Sequence, residues 1–164
     1  MKTRNVKEKR KGFSLIELLI VVTIILIIAA IAIPNLMRSK IQANETAAVG
    51  ALKALTESAL LYSNTYGGFP HALSDLGPAS GGAAATSTSA DLIDSVLASG
   101  VKSGYRFAYM AGATDPSGNV LSYSITAVPV SMGSTGQRTF FTDQSGTIRN
   151  TTNGNADSTS PPIS

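Results

Sequence analysis

A single apolar run dominates the first part of the hydrophobic pattern. Between residues 13 and 33 only Ser14, Glu17 and Thr23 are polar. At about 1.5 Å per helical residue this stretch is roughly 31 Å long, which is enough to cross the hydrocarbon core of a bilayer. A lone carboxylate costs about 2.5–3.5 kcal/mol at the centre of such a helix, so a sequence that keeps Glu17 is expected to use it.

Beyond Pro34 the pattern becomes amphipathic. Apolar side chains recur three and four residues apart, with Glu45 in the one missing place: Ile41, Ala48, Leu52, Leu55, Ala59, Tyr62 and Tyr66. This spacing puts them on one face of a helix, which the Gly-Gly and proline of residues 67–70 then end. The sequence therefore predicts one helix over residues 13–66, weakened at Gly50 and at Pro34, where a kink is expected.

The rest of the chain predicts a loop, a short helix and several strands. Residues 69–89 are rich in Pro, Gly, Ala, Ser and Thr, which is typical of a surface loop. Ser89 is expected to cap a helix over residues 90–99 that Gly100 ends. The buried stripe of that helix would comprise Leu92, Ile93, Val96 and Leu97.

From Gly104 onward the hydrophobic period changes to two. Alternating residues around 105–110 and 121–127 flank a turn-forming stretch at 115–119, which indicates a hairpin. A second pair is predicted at 138–142 and 147–150. The sequence thus predicts a small antiparallel sheet of about four strands, with one face covered by the second half of the long helix.

These elements define an α+β protein in which a long N-terminal helix packs its amphipathic half on a small antiparallel sheet. Five segments are expected along the chain. They are a basic leader (1–12), a transmembrane helix (13–33), its amphipathic continuation (34–68), a globular α+β head (69–152) and a flexible tail (153–164).

Charge is distributed unevenly. Of the 13 basic and 10 acidic residues, six and one respectively precede Phe13, so the remaining chain is mildly acidic. The basic residues of the leader favour the cytoplasmic side of a membrane, which places the head outside the cytoplasm. Nothing in the remaining sequence forms the basic patch that is typical of nucleic-acid binding, so no nucleic-acid partner is expected.

The inventory of reactive side chains is small. The chain contains no cysteine and one histidine, His71, in a predicted loop. No Gly-x-Ser-x-Gly nucleophile motif is present, and the glycine-rich stretch lacks the Gly-Lys-[Ser/Thr] of a phosphate loop. We therefore expect neither an enzyme nor a bound cofactor. Asp115 and Asp143 are interpreted as turn formers, and no metal site is expected.

The segment Gly12-Phe13-Ser14-Leu15-Ile16-Glu17, with a basic leader before it and an apolar run after it, resembles the processing site of type IV prepilins and type II secretion pseudopilins. The resemblance implies cleavage after Gly12 and N-methylation of Phe13 by a prepilin peptidase/methyltransferase. It also implies that Glu17 pairs with the new N-terminal amine of a neighbouring subunit. Pro34 matches the proline near which pilin helices bend or melt on assembly.

The implied function is that of a structural subunit of a homo-oligomeric type IV pilus-like filament. Such a subunit is stored in membrane lipid, as a single-pass protein of the bacterial inner membrane with a periplasmic head. It is assembled with an inner-membrane platform and minor pilins into an extracellular pilus. The absence of cysteine departs from the many pilins that close a C-terminal loop with a disulfide.

Three other interpretations remain open from the sequence. The first is a type II secretion pseudopilin that forms a periplasmic pseudopilus; major pseudopilins bind calcium, but neither Asp115 nor Asp143 has the spacing of a calcium loop. The second is a membrane-tethered or secreted binding domain. The third is an ordinary secretory signal, for which residues 30–32 offer an Ala-x-Ala cleavage site.

Overall fold

The computed structural model describes residues 12–79, 81 and 83–163. The predicted basic leader therefore lies outside the described residues, apart from Gly12. Contacts divide the chain into two compact units, one up to Arg38 and one from Ser39 onward. Helix α1 (Leu15–Tyr66) contributes residues to both units.

In the first unit, α1 is exposed on every side. From Leu15 to Arg38 only Ala29 is partly shielded, and Val22, the least exposed of the large apolar side chains, keeps 46% of its surface. An 18-residue window of mean hydropathy 3.2 makes α1 the one helix in the described chain that is long and apolar enough to cross a membrane. This agrees with the predicted transmembrane segment.

In the second unit, α1 is amphipathic as the sequence predicts. Its buried side chains are Ile41, Glu45, Ala48, Ala51, Leu52, Leu55, Ala59 and Tyr62. Most of them join residues of the sheet in one hydrophobic cluster, which includes Tyr105, Phe107, Ile125 and Phe140. Tyr66, the last member of the predicted stripe, is half-buried, with its ring 4.7 Å from that of Tyr62.

One antiparallel sheet of five strands lies against this face of α1, in the order of the sequence. The strands are β1 (Val101–Lys102), β2 (Tyr105–Ala111), β3 (Tyr123–Pro129), β4 (Thr139–Asp143) and β5 (Arg149–Thr151). The α+β class is confirmed, and the sheet has one strand more than the four or so predicted.

The additional strand is β1, which is too short to show an alternating pattern. It pairs with the start of β2 across the two-residue turn Ser103-Gly104, and both turn residues have positive φ, 50° and 74°. Turns of this kind match the twist of paired strands. Glycine is also required at 104 because a Cβ there would meet the side chains of Thr135 and Asn44 at 2.9 and 3.0 Å.

The predicted helix over residues 90–99 is wrong in its first half. Only Ser95–Ala98 form helix α2, and Asp94, not Ser89, caps it by accepting a hydrogen bond from the Leu97 N–H. The backbone N–H groups of residues 90–93 instead donate to the carbonyl oxygens of Asp75, Leu76 and Gly77, around the 3₁₀ turn Leu73–Leu76. The predicted stripe is only partly buried as a result, since Val96 is 54% exposed.

The C-terminal segment was expected to be a flexible tail, but the structure holds it against the sheet. The Thr139 hydroxyl donates to the carbonyl of Gly154 and accepts from the N–H of Ala156, both at 2.9 Å. Farther along, the Ile163 N–H donates to the carbonyl of Ile148, and Ala156 is buried. Bonds to the Thr139 side chain of β4, and backbone bonds to β5 and residue 148, therefore order a segment whose composition is polar.

Two buried threonines of β4, Thr139 and Thr142, provide a matched test of this packing. Thr139 is fully bonded to the tail, whereas the buried hydroxyl of Thr142 has no hydrogen-bond partner among the described residues. Thr142→Val should raise the free energy of unfolding by about 1 kcal/mol, and Thr139→Val should lower it by about 1–3 kcal/mol, because only the second change leaves the buried N–H of Ala156 without its acceptor. Urea denaturation of the full chain in detergent measures both, and effects of the same sign would contradict the packing described.

Candidate functional site

The motif segment begins outside the helix and is open to solvent. Residues 12–14 precede the first turn of α1, and Phe13 is 90% exposed. A Cβ at Gly12 would meet nothing within 4 Å. The peptide bond after Gly12 therefore lies in a stretch that is exposed and outside the helix, and cleavage there stays a prediction.

Glu17 caps its own helix. Its Oε2 accepts a hydrogen bond of 2.9 Å from the N–H of Ser14, and the carbonyl of Ser14 accepts from the N–H of Leu18. This is the carboxylate half of a capping box, which also places negative charge at the positive end of the helix dipole. The side chain is exposed, so its oxygens remain open to a further donor.

Pro34 lies inside α1 without ending it. Proline has no N–H, so the carbonyl of Ala30 loses its usual partner four residues on. The side chain of the next residue bonds back to the helix, since Asn35 Nδ2 donates to the carbonyl of Ile31 at 3.1 Å. About three turns earlier the Thr23 hydroxyl donates to the carbonyl of Leu19 at 2.7 Å in the same way. The predicted kink or local melting at Pro34 stays a prediction.

A buried carboxylate in the second unit is the feature that sequence reasoning did not develop. Glu45 is 6% exposed and fills the place that breaks the apolar stripe. Its Oε1 accepts from the N–H groups of Gln137 and Arg138 at 2.8 and 3.2 Å, and its Oε2 accepts from Arg138 Nε at 2.8 Å. The acid is thus fully engaged by the segment that leads into β4.

The surroundings of this ion pair are also packed and bonded. The guanidinium of Arg138 lies 5.3 Å from the centre of the Phe140 ring, and the Tyr105 hydroxyl donates to the Arg138 carbonyl at 2.8 Å. Burial, with the negative charge of Glu45 as a second cause, raises the pKa of Tyr105 well above its ordinary value, so the phenol stays a donor at neutral pH. One residue earlier on α1, Asn44 Nδ2 donates to the carbonyl of Thr135 at 2.9 Å.

At the other end of the sheet, tyrosines close the contact with α1. Tyr109 donates to the carbonyl of Pro70 at 2.8 Å and Tyr62 to that of Ser87 at 2.6 Å. Burial raises the pKa of both hydroxyls. The rings of Tyr109 and Tyr123 stack at 5.5 Å, and that of Phe69 packs edge-on against Tyr123. These hydrogen bonds and ring contacts hold residues 69, 70 and 87 against α1 and the sheet.

The candidate chemical residues of the head have structural roles. Asp115 accepts from the N–H groups of Ser117 and Asn119, and the side-chain amide of Asn119 is the main reason that the pKa of Asp115 is lowered. Asp143 accepts from the N–H of Ser145 in the next turn. Both are turn formers, as predicted. In the described ranges no three His, Asp or Glu side chains gather as metal ligands do.

Two further acids of the head, Asp75 and Asp94, also accept hydrogen bonds. The N–H of His71 donates to Asp75, which accepts a second bond from the N–H of Ala72. A hydrogen bond from Lys102 at 2.7 Å, helped by the Leu97 N–H, lowers the pKa of the exposed Asp94. We find no pairing of nucleophile, base and orienting group in these contacts, and each is explained by a turn or cap.

Comparison with known proteins identifies a sequence motif in the N-terminal segment. The prokaryotic N-terminal methylation motif matches residues 7–33. The chain is 43% identical over 70 residues to the type IV wide pilus major component PilA4 of Thermus thermophilus. This match covers 41% of this chain and 53% of the relative.

Two further relatives give shorter matches. The type IV major pilin protein PilA of Myxococcus xanthus is 46% identical over 55 residues, covering 34% of this chain and 25% of the relative. The type II secretion system core protein G of Escherichia coli is 36% identical over 55 residues, covering 34% and 38%. The chain thus spans about half or less of the length of these relatives, which are pilus and secretion-system components and not enzymes by name. No solved structure matches the chain.

The Glu45 ion pair yields a stability prediction with a control on the same helix. Glu45→Ala removes three hydrogen bonds and leaves Arg138 and the Gln137 N–H without their acceptor. Since the Arg138 side chain is 41% exposed and screened by water, we expect a loss of about 2–3 kcal/mol in the free energy of unfolding, at the low end for a buried pair. Glu57→Ala, at an exposed position of α1, should change it by less than about 0.5 kcal/mol.

Urea denaturation of both variants in detergent, monitored by circular dichroism, measures the difference. Arg138→Met should cost less than Glu45→Ala, because Glu45 keeps its two backbone donors. Equal losses for Glu45→Ala and Glu57→Ala would contradict the assignment of Glu45 as the main polar contact between α1 and the sheet.

Proposed function

Because this chain carries the N-terminal methylation motif, and is similar over a third or more of its length to type IV pilins and a type II secretion pseudopilin, we propose that it is a structural subunit of a type IV pilus-like filament. It is processed after Gly12, methylated at the amine of Phe13, and assembled through the apolar segment of α1. The observation that carries the proposal is that this segment is apolar on every side and uncovered by its own chain.

The membrane is the first cover for this surface. The apolar segment has the length and hydropathy of a membrane span, and a soluble monomer would expose it to water. A single-pass subunit in the inner membrane, with its head on the periplasmic side, is supported by the charge of the leader. In the filament, other copies of the chain cover the same apolar surface, through head-to-tail contacts that repeat without closing into a ring.

Cleavage after Gly12 gives Glu17 a partner of opposite charge. The new amine at Phe13 is one residue from the N–H that Glu17 accepts in the structure. A charge in a lipid environment is penalised unless it is paired, so pairing between Glu17 of one subunit and the amine of its neighbour would set the register of the filament. Pro34 leaves one carbonyl of the segment without a helical partner, which makes it the natural place for the helix to adapt.

A type II secretion pseudopilin is the second candidate, and the similarity to core protein G supports it. Both candidates share processing and assembly, and they differ in where the filament ends. Shearing of cells and microscopy of the released material separate them, since a pilus is recovered outside the cell and a pseudopilus stays within the envelope.

The first test of the proposal is the intact mass and N-terminal peptide of the protein from its native membrane fraction. We expect a chain that starts at Phe13 and carries one added methyl group. Retention of residues 1–12, or a start at Ile33 after secretory cleavage, would overturn the proposal and leave a tethered or secreted binding domain as the better interpretation.

The second test separates the two roles of Glu17. Glu17→Ala removes both the cap and the charge, whereas Glu17→Gln keeps an acceptor for the Ser14 N–H and removes only the charge. We expect both variants to be processed normally and both to lose filaments, as counted by electron microscopy, because register depends on charge pairing. Normal filament numbers in Glu17→Gln would show that capping alone is required and would contradict the register role.

A further inference from the structure

The C-terminal segment contains the one Asn-Gly pair of the sequence, Asn153-Gly154. In such a pair the nitrogen of the glycine is unusually open to reaction with the asparagine side chain, because glycine has no Cβ to crowd it. Asparagine is among the chemically labile residues of proteins, so its surroundings decide where it reacts. Both Asn153 and Gly154 are exposed.

The structure leaves both reacting groups of this pair free. Gly154 has a φ of 79°, and a Cβ placed on it would meet nothing within 4 Å. Among the described residues the Gly154 N–H donates to no acceptor, and the Asn153 carboxamide has no hydrogen-bond partner. Asn153 is held through its main chain, whose N–H donates to the Thr151 hydroxyl at 3.2 Å and whose carbonyl accepts from it at 3.4 Å. The carboxamide can therefore turn towards the Gly154 nitrogen without breaking a hydrogen bond.

The two nearest asparagines lack a free nitrogen after them. The N–H that would react with Asn155 belongs to Ala156, and it donates to the Thr139 hydroxyl at 2.9 Å. The N–H that would react with Asn150 belongs to Thr151, which lies in β5 and pairs with Thr139 of β4. The three asparagines of this region thus share one peptide and differ in whether the next main-chain nitrogen is restrained.

The other asparagines that the structure describes are also restrained. The side-chain amide of Asn119 donates to Asp115 at 2.9 Å, and a β-branched valine follows it. Three more lie inside α1, where the next N–H belongs to the helical hydrogen bonds: Asn35, Asn44 and Asn64. Within the described chain, Asn153 therefore combines a free carboxamide with a free and uncrowded nitrogen.

We propose that Asn153 is a site of spontaneous deamidation, at which the chain modifies itself without an enzyme. The Gly154 nitrogen gives its proton to solvent hydroxide and bonds to the side-chain carbonyl carbon of Asn153. That carbon loses its amine, which takes a proton from water and leaves as ammonia. Water then opens the resulting succinimide ring. Opening at the side-chain carbon gives aspartate and opening at the main-chain carbon gives isoaspartate, so either product adds one negative charge.

Isoaspartate also loosens the segment that follows. It adds one carbon to the main chain directly before Gly154, whose carbonyl accepts from the Thr139 hydroxyl at 2.9 Å. The Ala156 N–H, two residues on, donates to the same hydroxyl. Because Thr139 is buried and bonds these two groups at fixed positions, a longer main chain moves them out of register with it. Formation of isoaspartate at residue 153 therefore releases residues 154–156 from β4.

The full-length protein in detergent tests the modification. It is incubated folded or in urea, at mildly acid and mildly alkaline pH, and digested with trypsin, which releases residues 150–164 as one peptide. We expect the one-dalton gain of an amide-to-acid change on residue 153, faster at alkaline pH because the attacking nitrogen must lose its proton. The folded rate should lie within about tenfold of the rate in urea, since the reaction needs no opening of the structure.

Asn150 and Asn155 are internal controls in the same peptide, and Asn153→Gln is the matched variant, because its longer side chain closes a ring far more slowly. We expect the folded Asn153→Gln protein to show no gain. A gain at Asn150 or Asn155 of the folded chain before Asn153 would overturn the proposed site. So would a folded rate at Asn153 far below the rate in urea, since the turn would then hold the two groups apart.

Hydrogen exchange tests the release of the segment. The isoaspartate form, separated by chromatography, should lose the protection of the Ala156 N–H. Freshly purified Asn153→Asp carries the same charge on a normal main chain and should keep that protection. Equal protection in both would overturn the release. The reaction needs only the folded C-terminal segment, so its outcome is independent of filament assembly.

Discussion

The uncovered apolar surface of α1 is the constraint on which the rest of the molecule depends. More than a dozen Leu, Ile and Val side chains between residues 15 and 33 keep about half or more of their surface. At about 1.5–3 kcal/mol for each such side chain, leaving them in water costs on the order of tens of kcal/mol, several times the stability of a typical domain. The head, whatever its role, is attached to a helix whose apolar surface must be kept out of water.

The second half of α1 has to pack against the sheet in one defined position, and Glu45 sets that position. An apolar stripe alone permits the sheet to slide or rotate on the helix, because hydrophobic contacts are not directional. The carboxylate of Glu45 accepts three hydrogen bonds at fixed positions, two of them from backbone N–H groups of Gln137 and Arg138. One level of the sheet is thereby tied to one residue of the helix, at the cost of burying the Glu45 carboxylate.

The sequence predicted the elements with strong periodicity and missed those that depend on distant partners. The α1 stripe, both hairpins and the α+β class follow from local spacing. The partner of Glu45 lies 93 residues away, so the sequence placed the acid in the stripe without explaining it. Residues 90–93 have helical character but give their N–H groups to the turn at 75–77, and the polar tail is ordered by backbone bonds that composition does not reveal.

Signals for some of the missed features were present in the sequence. Ser103-Gly104 before an alternating run is a two-residue turn signal and was enough to suggest β1. Asp94 with apolar residues after it was as good a cap as Ser89. At the processing motif, Ser14 and Glu17 have the spacing of a capping box, so the local role of Glu17 was as visible as its family role.

In the proposed function the apolar segment moves from membrane lipid into a bundle of helices, and this move also explains why the segment keeps polar groups. Lipid tails are as apolar as leucine, so the hydrophobic effect does not favour a bundle of helices over the membrane. On the proposed function, the preference for the bundle comes from groups that lipid leaves unpaired: the charge of Glu17, and the carbonyl whose helical N–H partner is missing at Pro34. A segment without them would be stored equally well and would gain less from assembly. On the proposed function, the few polar groups in the first half of α1 favour assembly over storage in lipid, whereas Glu45 fixes the position of the sheet on the second half.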